Sequence, residues 1–386
     1  MASLKRDFST FLHKYKREYA LAGCFLFLVM FHFLFTDNFR VDSIIKLGTR
    51  GDELNDLELG RFGITYLNRL FGMREFSPYS MAVMTLLALL ASMPLMGFVL
   101  SKAAEGRLGR ELALFPLIVY LSPHWLEQLY FSYQSFVIVL GYILLLLSAL
   151  VPEYKKGKRW LALEILLVVI AFSVYQAFVP LYLAISVSFV LVRWMCAEER
   201  DVMWVWHRVG RAVFVFFASI IVYFIAAYLA QRSVNPTNYL SSQVLWGNMP
   251  THGVIISIVR AARAILIGQG RIDTLAYSAS AVCCAILIAV RFIPDGRDRL
   301  GVTVLGWTLL QLTIFSMIVV LGTRSYIRSE LATPYVTACN FMISLFLARE
   351  CVRTRGSRRV YRLLSFLAAA AMLVCLYNTT SLCLKL

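Results

Sequence analysis

The stretch "EYKKGKRWLALEILLVVIAFSVYQAFVPLYLAISVSFVLVRWMC", residues 153–196, decides how this chain folds. Basic residues crowd its first turn, at Lys155, Lys156, Lys158 and Arg159, and an apolar run then continues to the next arginine, Arg193. A membrane hydrocarbon core takes ~20 apolar residues per helical crossing. Residues 160–195 are therefore either one long tilted helix or two helices folded back on each other. Pro180, just after "SVYQAF", marks a break or re-entrant turn. The two-helix reading keeps "EYKKGKRW" on the same side of the membrane as the strongly basic "RECVRTRGSRRVYR" (349–362), whereas a single helix would separate them.

Working outward, apolar runs predict spans near 19–36, 78–100, 111–123, 130–151, 160–177, 178–195, 209–231, 274–292, 300–322, 333–348 and 361–380. The expectation is an all-α polytopic membrane protein of about 11 transmembrane helices, folded as one membrane domain over 1–386. The connectors 1–18, 101–110, 152–159, 193–211, 291–299 and 349–362 hold 25 of the 38 Lys and Arg residues. They all fall on the amino-terminal side, which the positive-inside rule makes cytoplasmic. The segment "GVIISIVRAARAILIG" (253–268) carries Arg260 and Arg263 in its middle, so it reads as an interfacial amphipathic helix, not a span.

Composition agrees. The 386 residues are 60% hydrophobic and 16% charged, against roughly 25% charged in soluble domains, and mean hydropathy is +0.71. Continuous apolar runs exclude a β-barrel of ~10-residue alternating strands. The net charge of +16 is spread over the tethers between spans, which argues against a nucleic-acid partner. The basic start "MASLKRDFSTFLHKYKR" runs into a long span without a small-residue cleavage site, so no cleaved leader is expected. Eight cysteines lack metal-ligand spacing and read as packing residues; no metal site is expected.

Candidate chemistry gathers in the outer loops, chiefly 37–77 and 231–273. Asp37 and Asp42 follow the first span, where a carboxylate could serve as general base toward a sugar hydroxyl or simply solvate a helix end. "GDELNDLELGRFG" (51–63) predicts a short amphipathic surface helix, with Leu54, Leu57 and Phe62 toward lipid and Asp52, Asp56 and Glu58 toward water. Arginines on this side run against the positive-inside rule: Arg61, Arg69, Arg260, Arg263, Arg324 and Arg328 either grip a phosphate or pair with the loops' own acids. Arg324 and Arg328, four apart, would share a face if helical. His124 and Glu127 lie among Trp125, Tyr130 and Tyr133, as a polar pocket with aromatic platforms or as an interfacial aromatic belt. Tyr175 and Gln176 occupy the turn between two spans, where the amide could bond a sugar hydroxyl. Glu164 is expected to pair with a nearby Lys or Arg.

The ordered set "TDNFRVDS", "LGRFG", "PHWLEQLYF", "VYQAF" and "TRSYIR" resembles the bacterial Gtr-type glucosyltransferases, serotype-converting membrane enzymes that decorate surface polysaccharide. The resemblance implies a GT-C-like, inverting enzyme in the cell membrane with its active site on the outer face. Its donor would be a polyprenyl-phosphate sugar such as undecaprenyl phosphate glucose, and its acceptor a polysaccharide or glycolipid. Asp42 would be the base with Asp37 behind it. Arg324 and Arg328 would clamp phosphate, and Arg61, His124, Glu127, Tyr175, Gln176 and Arg260 would complete the binding surface. Where family members often carry paired acids, this chain has "VDS", which weakens any case for a carboxylate-bound metal. Two alternatives stay open: a polymerase of lipid-linked oligosaccharides, or a flippase or transporter of lipid-linked sugar.

Overall fold

The computed structural model describes residues 2–35, 53–73, 77–197, 201–232, 234, 242–267, 272–293 and 297–355. Asp37, Asp42 and the expected span 361–380 lie outside the described residues. The described chain is helical, with a lone bridge between Trp246 and Met249 and no strand.

In chain order the helices are α1 (Ala2–Phe35), α2 (Glu53–Glu58), α3 (Phe62–Leu70), α4 (Pro78–Ala103), α5 (Leu114–Tyr120), α6 (Pro123–Leu129), α7 (Ser132–Tyr154), α8 (Lys158–Val174), α9 (Phe178–Cys196), α10 (Val202–Gln231), α11 (Thr251–Ile267), α12 (Ile272–Phe292), α13 (Arg297–Leu321) and α14 (Ala332–Arg355). Among the described residues, six are long and apolar enough to cross a membrane: α4, α7, α9, α10, and most of α12 and α13. Side chains settle which way each runs. Asp7 of α1 accepts hydrogen bonds from Lys102 at the end of α4 (2.5 Å) and Tyr154 at the end of α7 (3.0 Å). Arg193 of α9 pairs with Glu105 at 2.8 Å, and Arg299 of α13 donates to Met195 O at 3.2 Å. Arg349 of α14 pairs with Glu111 at 2.9 Å. These contacts define one end of the bundle, here the amino-terminal end; Phe35, Gln231 and Leu321 close the opposite, distal end.

Residues 153–196 form two helices, as expected, but the break falls at Tyr175–Ala177, ahead of Pro180. Proline is tolerated in a helix's first turn, where its missing N–H has no intrahelical partner to lose, so Pro180 sits just inside α9.

The run 111–123 is not one continuous helix. A 3₁₀ turn (Arg110–Ala113) leads into α5, then α6 follows after a kink at Leu121–Ser122, and every residue from Leu117 to Leu126 is buried. Seven helical residues cover only ~10 Å, so this stretch passes between the two ends in pieces. Broken backbone is tolerated at such depth only when enclosed by protein. Hydropathy alone missed the break because Pro116, Ser122 and Pro123 barely lower the average.

The helix expected over 209–231 begins earlier, at Val202. Arg208 is thereby buried, donating to Ala149 O at 2.7 Å. Its neighbour Arg211 pairs with Glu164 at 2.7 Å, the partner expected for that acid.

Packing orders the bundle from inside out. α14 is buried continuously from Ala332 to Ala348. Asn340 and Gln311 of α13 exchange amide hydrogen bonds of 3.0 and 3.2 Å, the polar pairing that holds helices together where apolar burial gives little drive. By contrast, α10 is exposed along Phe214, Phe217, Ile221, Phe224 and Ile225, an apolar surface suited to lipid. The amphipathic reading of 253–268 agrees with α11: Val254, Ala261 and Ile265 are buried, and Arg260 and Arg263 are exposed. Val254 packs on Gly322 and Leu266 O accepts from Ser278, so both ends of α11 anchor at the distal end.

The reading of 51–63 as a free surface helix needs correcting. Asp56 is buried, not turned to water. The reason is that α2 is docked: Gln231 at the end of α10 donates to Glu58 O at 2.9 Å.

Candidate functional site at the distal end of the bundle

Five sequence-distant segments meet at the distal end. The first is the α2–α3 link. Gly60 adopts φ +69, in the left-handed region that favours glycine, under the Tyr223 hydroxyl. Gly63 packs so tightly on the end of α8 that a Cβ would stand 2.3 Å from Ser173 Oγ and 2.8 Å from its backbone. "LGRFG" is thus a docking device: one glycine turns the chain, the other lets α3 touch α8, and Arg61 between them is held fixed.

Arg61 Nε donates to Gln176 Oε1 at 3.2 Å, and its guanidinium lies 5.0 Å from the centre of the Tyr175 ring. The Gln176 amide donates in turn to Leu59 O and Tyr223 Oη, both at 3.0 Å. Tyr223 Oη donates to Gly60 O at 3.3 Å. This loop of bonds joins α2–α3, the α8–α9 turn and α10.

Tyr175 extends the site further. Its hydroxyl is 3.0 Å from Ser329 Oγ, in the segment between α13 and α14. That segment is not a helix carrying Arg324 and Arg328 on one face. It runs extended and closes in a 3₁₀ turn at Ile327–Ser329, so the two arginines diverge. Arg328 stacks 4.0 Å from the centre of the Phe131 ring. Arg324 Nε donates to Glu330 Oε1 at 3.1 Å.

Glu330 is the residue that sequence reasoning missed. Its side chain is only 3% exposed, and its second oxygen lies 3.5 Å from Nε2 of His124, whose own side chain is 1% exposed. Nδ1 of His124 is 2.9 Å from Ser122 Oγ. Burial pushes the Glu330 carboxyl up, but the hydrogen bond and charge of His124, with Arg324 behind them, outweigh it and hold the group below the usual carboxylate range. A carboxylate held charged in this way is a fixed countercharge and a poor proton acceptor. One signal did point to it: an acid placed six residues after Arg324, directly before a span, has no reason to sit there unpaired.

Gln128 was also passed over. It lies one helical turn after His124, on the same face of α6, and is fully buried. Neither its amide oxygen nor its nitrogen has a hydrogen-bond partner among the described residues, and Nη2 of Arg324 is likewise unpartnered. Buried polar groups in native proteins are nearly always satisfied, so this face has hydrogen-bonding capacity to give to a polar ligand. Among the described residues no three His, Cys, Asp or Glu side chains gather as a metal site would need.

Of the predicted binding residues, Arg61, Tyr175 and Gln176 form one network, and His124, Arg324 and Arg328 stand on the segments joined to it through Ser329. Glu127 is half-buried on α6. Arg260 is exposed on α11 and takes no part in the hydrogen bonds described above. The described residues flanking 36–52 also end here: Phe35 packs on Tyr79 at 5.6 Å, and α2 is held by Gln231.

The family model for glucosyl transferase GtrII matches residues 31–345, which takes in every one of these segments. The chain belongs to the GtrII glucosyl transferase family. No curated protein and no solved structure matches it significantly. The arginines, aromatic faces and unspent amides gathered here are groups able to hold anions, ring faces and hydroxyls.

Proposed function

We propose that the protein transfers glucose from a polyprenyl-phosphate donor to a polysaccharide or glycolipid acceptor, at the distal end of the bundle and on the outer face of the membrane. The observation that carries this reading is the convergence of Arg61, Tyr175, Gln176, Arg328 and the buried Arg324–Glu330–His124 cluster at the end where the loop bearing Asp37 and Asp42 begins and ends. The sidedness is supported by the Lys/Arg tethers gathered at the amino-terminal end, since the positive-inside rule favours such loops on the cytoplasmic side.

The reaction is a single displacement with inversion, in a GT-C-like enzyme. The acceptor oxygen attacks the anomeric carbon, the bond from that carbon to the phosphate oxygen breaks, and polyprenyl phosphate leaves with the electron pair. Asp42 takes the acceptor's proton, with Asp37 the second choice. Glu330 is set aside from that role by its paired, acidic state. The arginines offset charge growing on the leaving phosphate: Arg61 and Arg328 present stacked guanidiniums, and Arg324 keeps a free Nη2. Gln128 and Glu127 face the sugar hydroxyls.

Membranes containing the Asp42→Asn protein should fail to move glucose from polyprenyl-phosphate glucose to surface glycan while retaining the full-length protein. Undiminished transfer by that variant would sink the mechanism. Products that grow by whole repeat units instead of single side-branch residues would mark a polymerase.

A further inference from the structure

A polar cavity at the opposite end of the bundle shares a wall with an apolar groove that climbs the side of the bundle from there. The cavity, of about 380 Å³, is lined by Glu105, Arg107, Arg193, Trp194, Asp201 and Trp204. The groove, of about 490 Å³, lies between α9, α10 and α13, floored by side chains such as Leu191, Val213, Phe216 and Leu305. Trp194 and Val205 line both. A polar chamber opening into a greasy slot along the membrane-facing side of the bundle has the shape of a place for one amphiphile.

Length and charge select which amphiphile. Along α9 the groove runs from Tyr182 to Trp194, a rise of ~18 Å. Half of a ~30 Å hydrocarbon core is ~15 Å. The slot therefore fits the chain of a lipid confined to one leaflet, not a long polyprenyl tail. The polar chamber is balanced, with two arginines against two carboxylates. Arg193 is braced between Glu105 (2.8 Å) and the face of Trp204 (5.4 Å), and Asp201 caps α10 by accepting from Trp204 N at 2.9 Å. A headgroup with one phosphate and one ammonium complements such a set. A purely anionic headgroup would meet the two acids without compensation.

We infer that this chamber and groove form a binding site for a phosphatidylethanolamine molecule, with its phosphate toward Arg107 and Arg193, its ammonium toward Glu105 and Asp201, and one acyl chain in the slot beside α10. The site is separate from the glycan chemistry at the distal end and stands whether or not the proposed donor is correct.

The test uses the full chain in nanodiscs of equal parts phosphatidylethanolamine and phosphatidylglycerol, followed by gentle detergent extraction and native mass spectrometry. About one phosphatidylethanolamine per chain should be retained in preference to phosphatidylglycerol. Arg107→Gln removes a charge at an exposed position, and Val213→Trp fills the slot from a lipid-exposed position. Each should cut retention about tenfold, the loss expected for one charge-assisted hydrogen bond or a blocked chain site, and Val213→Trp should do so without altering the unfolding temperature measured in lipid-free detergent. Equal retention of both lipids would overturn the inference, as would retention unchanged by either variant, or a dimer of chains that carries no lipid.

Discussion

Glu330→Gln tests the cluster at its centre. The substitution keeps the side chain's shape and removes its charge, leaving Arg324 and His124 facing a neutral amide across contacts of 3.1 and 3.5 Å. With Glu330 3% exposed, solvent screens little of the interaction, and breaking a buried pair from one side costs 3–5 kcal/mol. Retention of shape and of one acceptor places the loss near the bottom of that range, about 3 kcal/mol. In a chain this large each kcal/mol moves the unfolding midpoint by about 2 °C, so the variant in detergent should melt roughly 6 °C below the parent. The acidity of Glu330 adds a second signature. Its carboxyl is held below the ordinary value of 4.5, so its stabilisation is complete above that pH and is lost as pH falls through the folded-state value. The parent should thus lose stability on acidification below about pH 4.5 more steeply than Glu330→Gln does. Combining Glu330→Gln with Arg324→Gln should cost less than the two single losses together, by about 1–3 kcal/mol. A variant that melts within a degree of the parent, or strictly additive losses, would show that the cluster is not the ion pair described here.

Three further substitutions probe the rest of the distal end. Gly63→Ala puts a methyl into Ser173 and the α8 backbone and should cost about 1–3 kcal/mol or more, read as reduced yield and a lower melting temperature. Gln128→Leu removes a buried amide that has no hydrogen-bond partner among the described residues, so the folded protein should be at least as stable as the parent; glucosyl transfer should nonetheless fall, through KM if the amide holds a sugar hydroxyl. Arg61→Lys loses both the Gln176 bond and the guanidinium placed over the Tyr175 ring. Because lysine is a point charge without a fork, transfer measured in membranes should drop well below the parent while melting shifts by only about 1 kcal/mol or less.

Much of this was legible in the residues. Charge placement and apolar run length gave two helices folded back within 160–195 and the amphipathic α11, because both depend on patterns that a single segment carries. "LGRFG" and "VYQAF" were visible as motifs, although why they belong together was not: the link is a close backbone approach at Gly63, which no spacing encodes. Arg324 and Arg328 misled because four-residue spacing means a shared face only in a helix, and this segment is extended. Glu330 and Gln128 were hidden for a different reason. Their significance lies in burial, and for Glu330 also in His124, a partner far off in sequence; both are tertiary properties. The interrupted passage through α5 and α6 escaped a hydropathy reading because enclosure by protein, not lipid, is what stabilises it.

That interrupted passage has a consequence for how the protein is made. α5 and α6 are each too short to enter a bilayer on their own, and the groups they carry (Ser122, His124, Gln128) would meet hydrocarbon if they did. They can settle only after α4 and α7 have formed walls around them. The segment that packs against His124, Arg324–Glu330 with α14 behind it, is synthesised long after α6. The chain must hold an unfinished, polar-cored bundle until its final third arrives, and a ribosome stalled before residue 330 leaves His124 without its carboxylate partner.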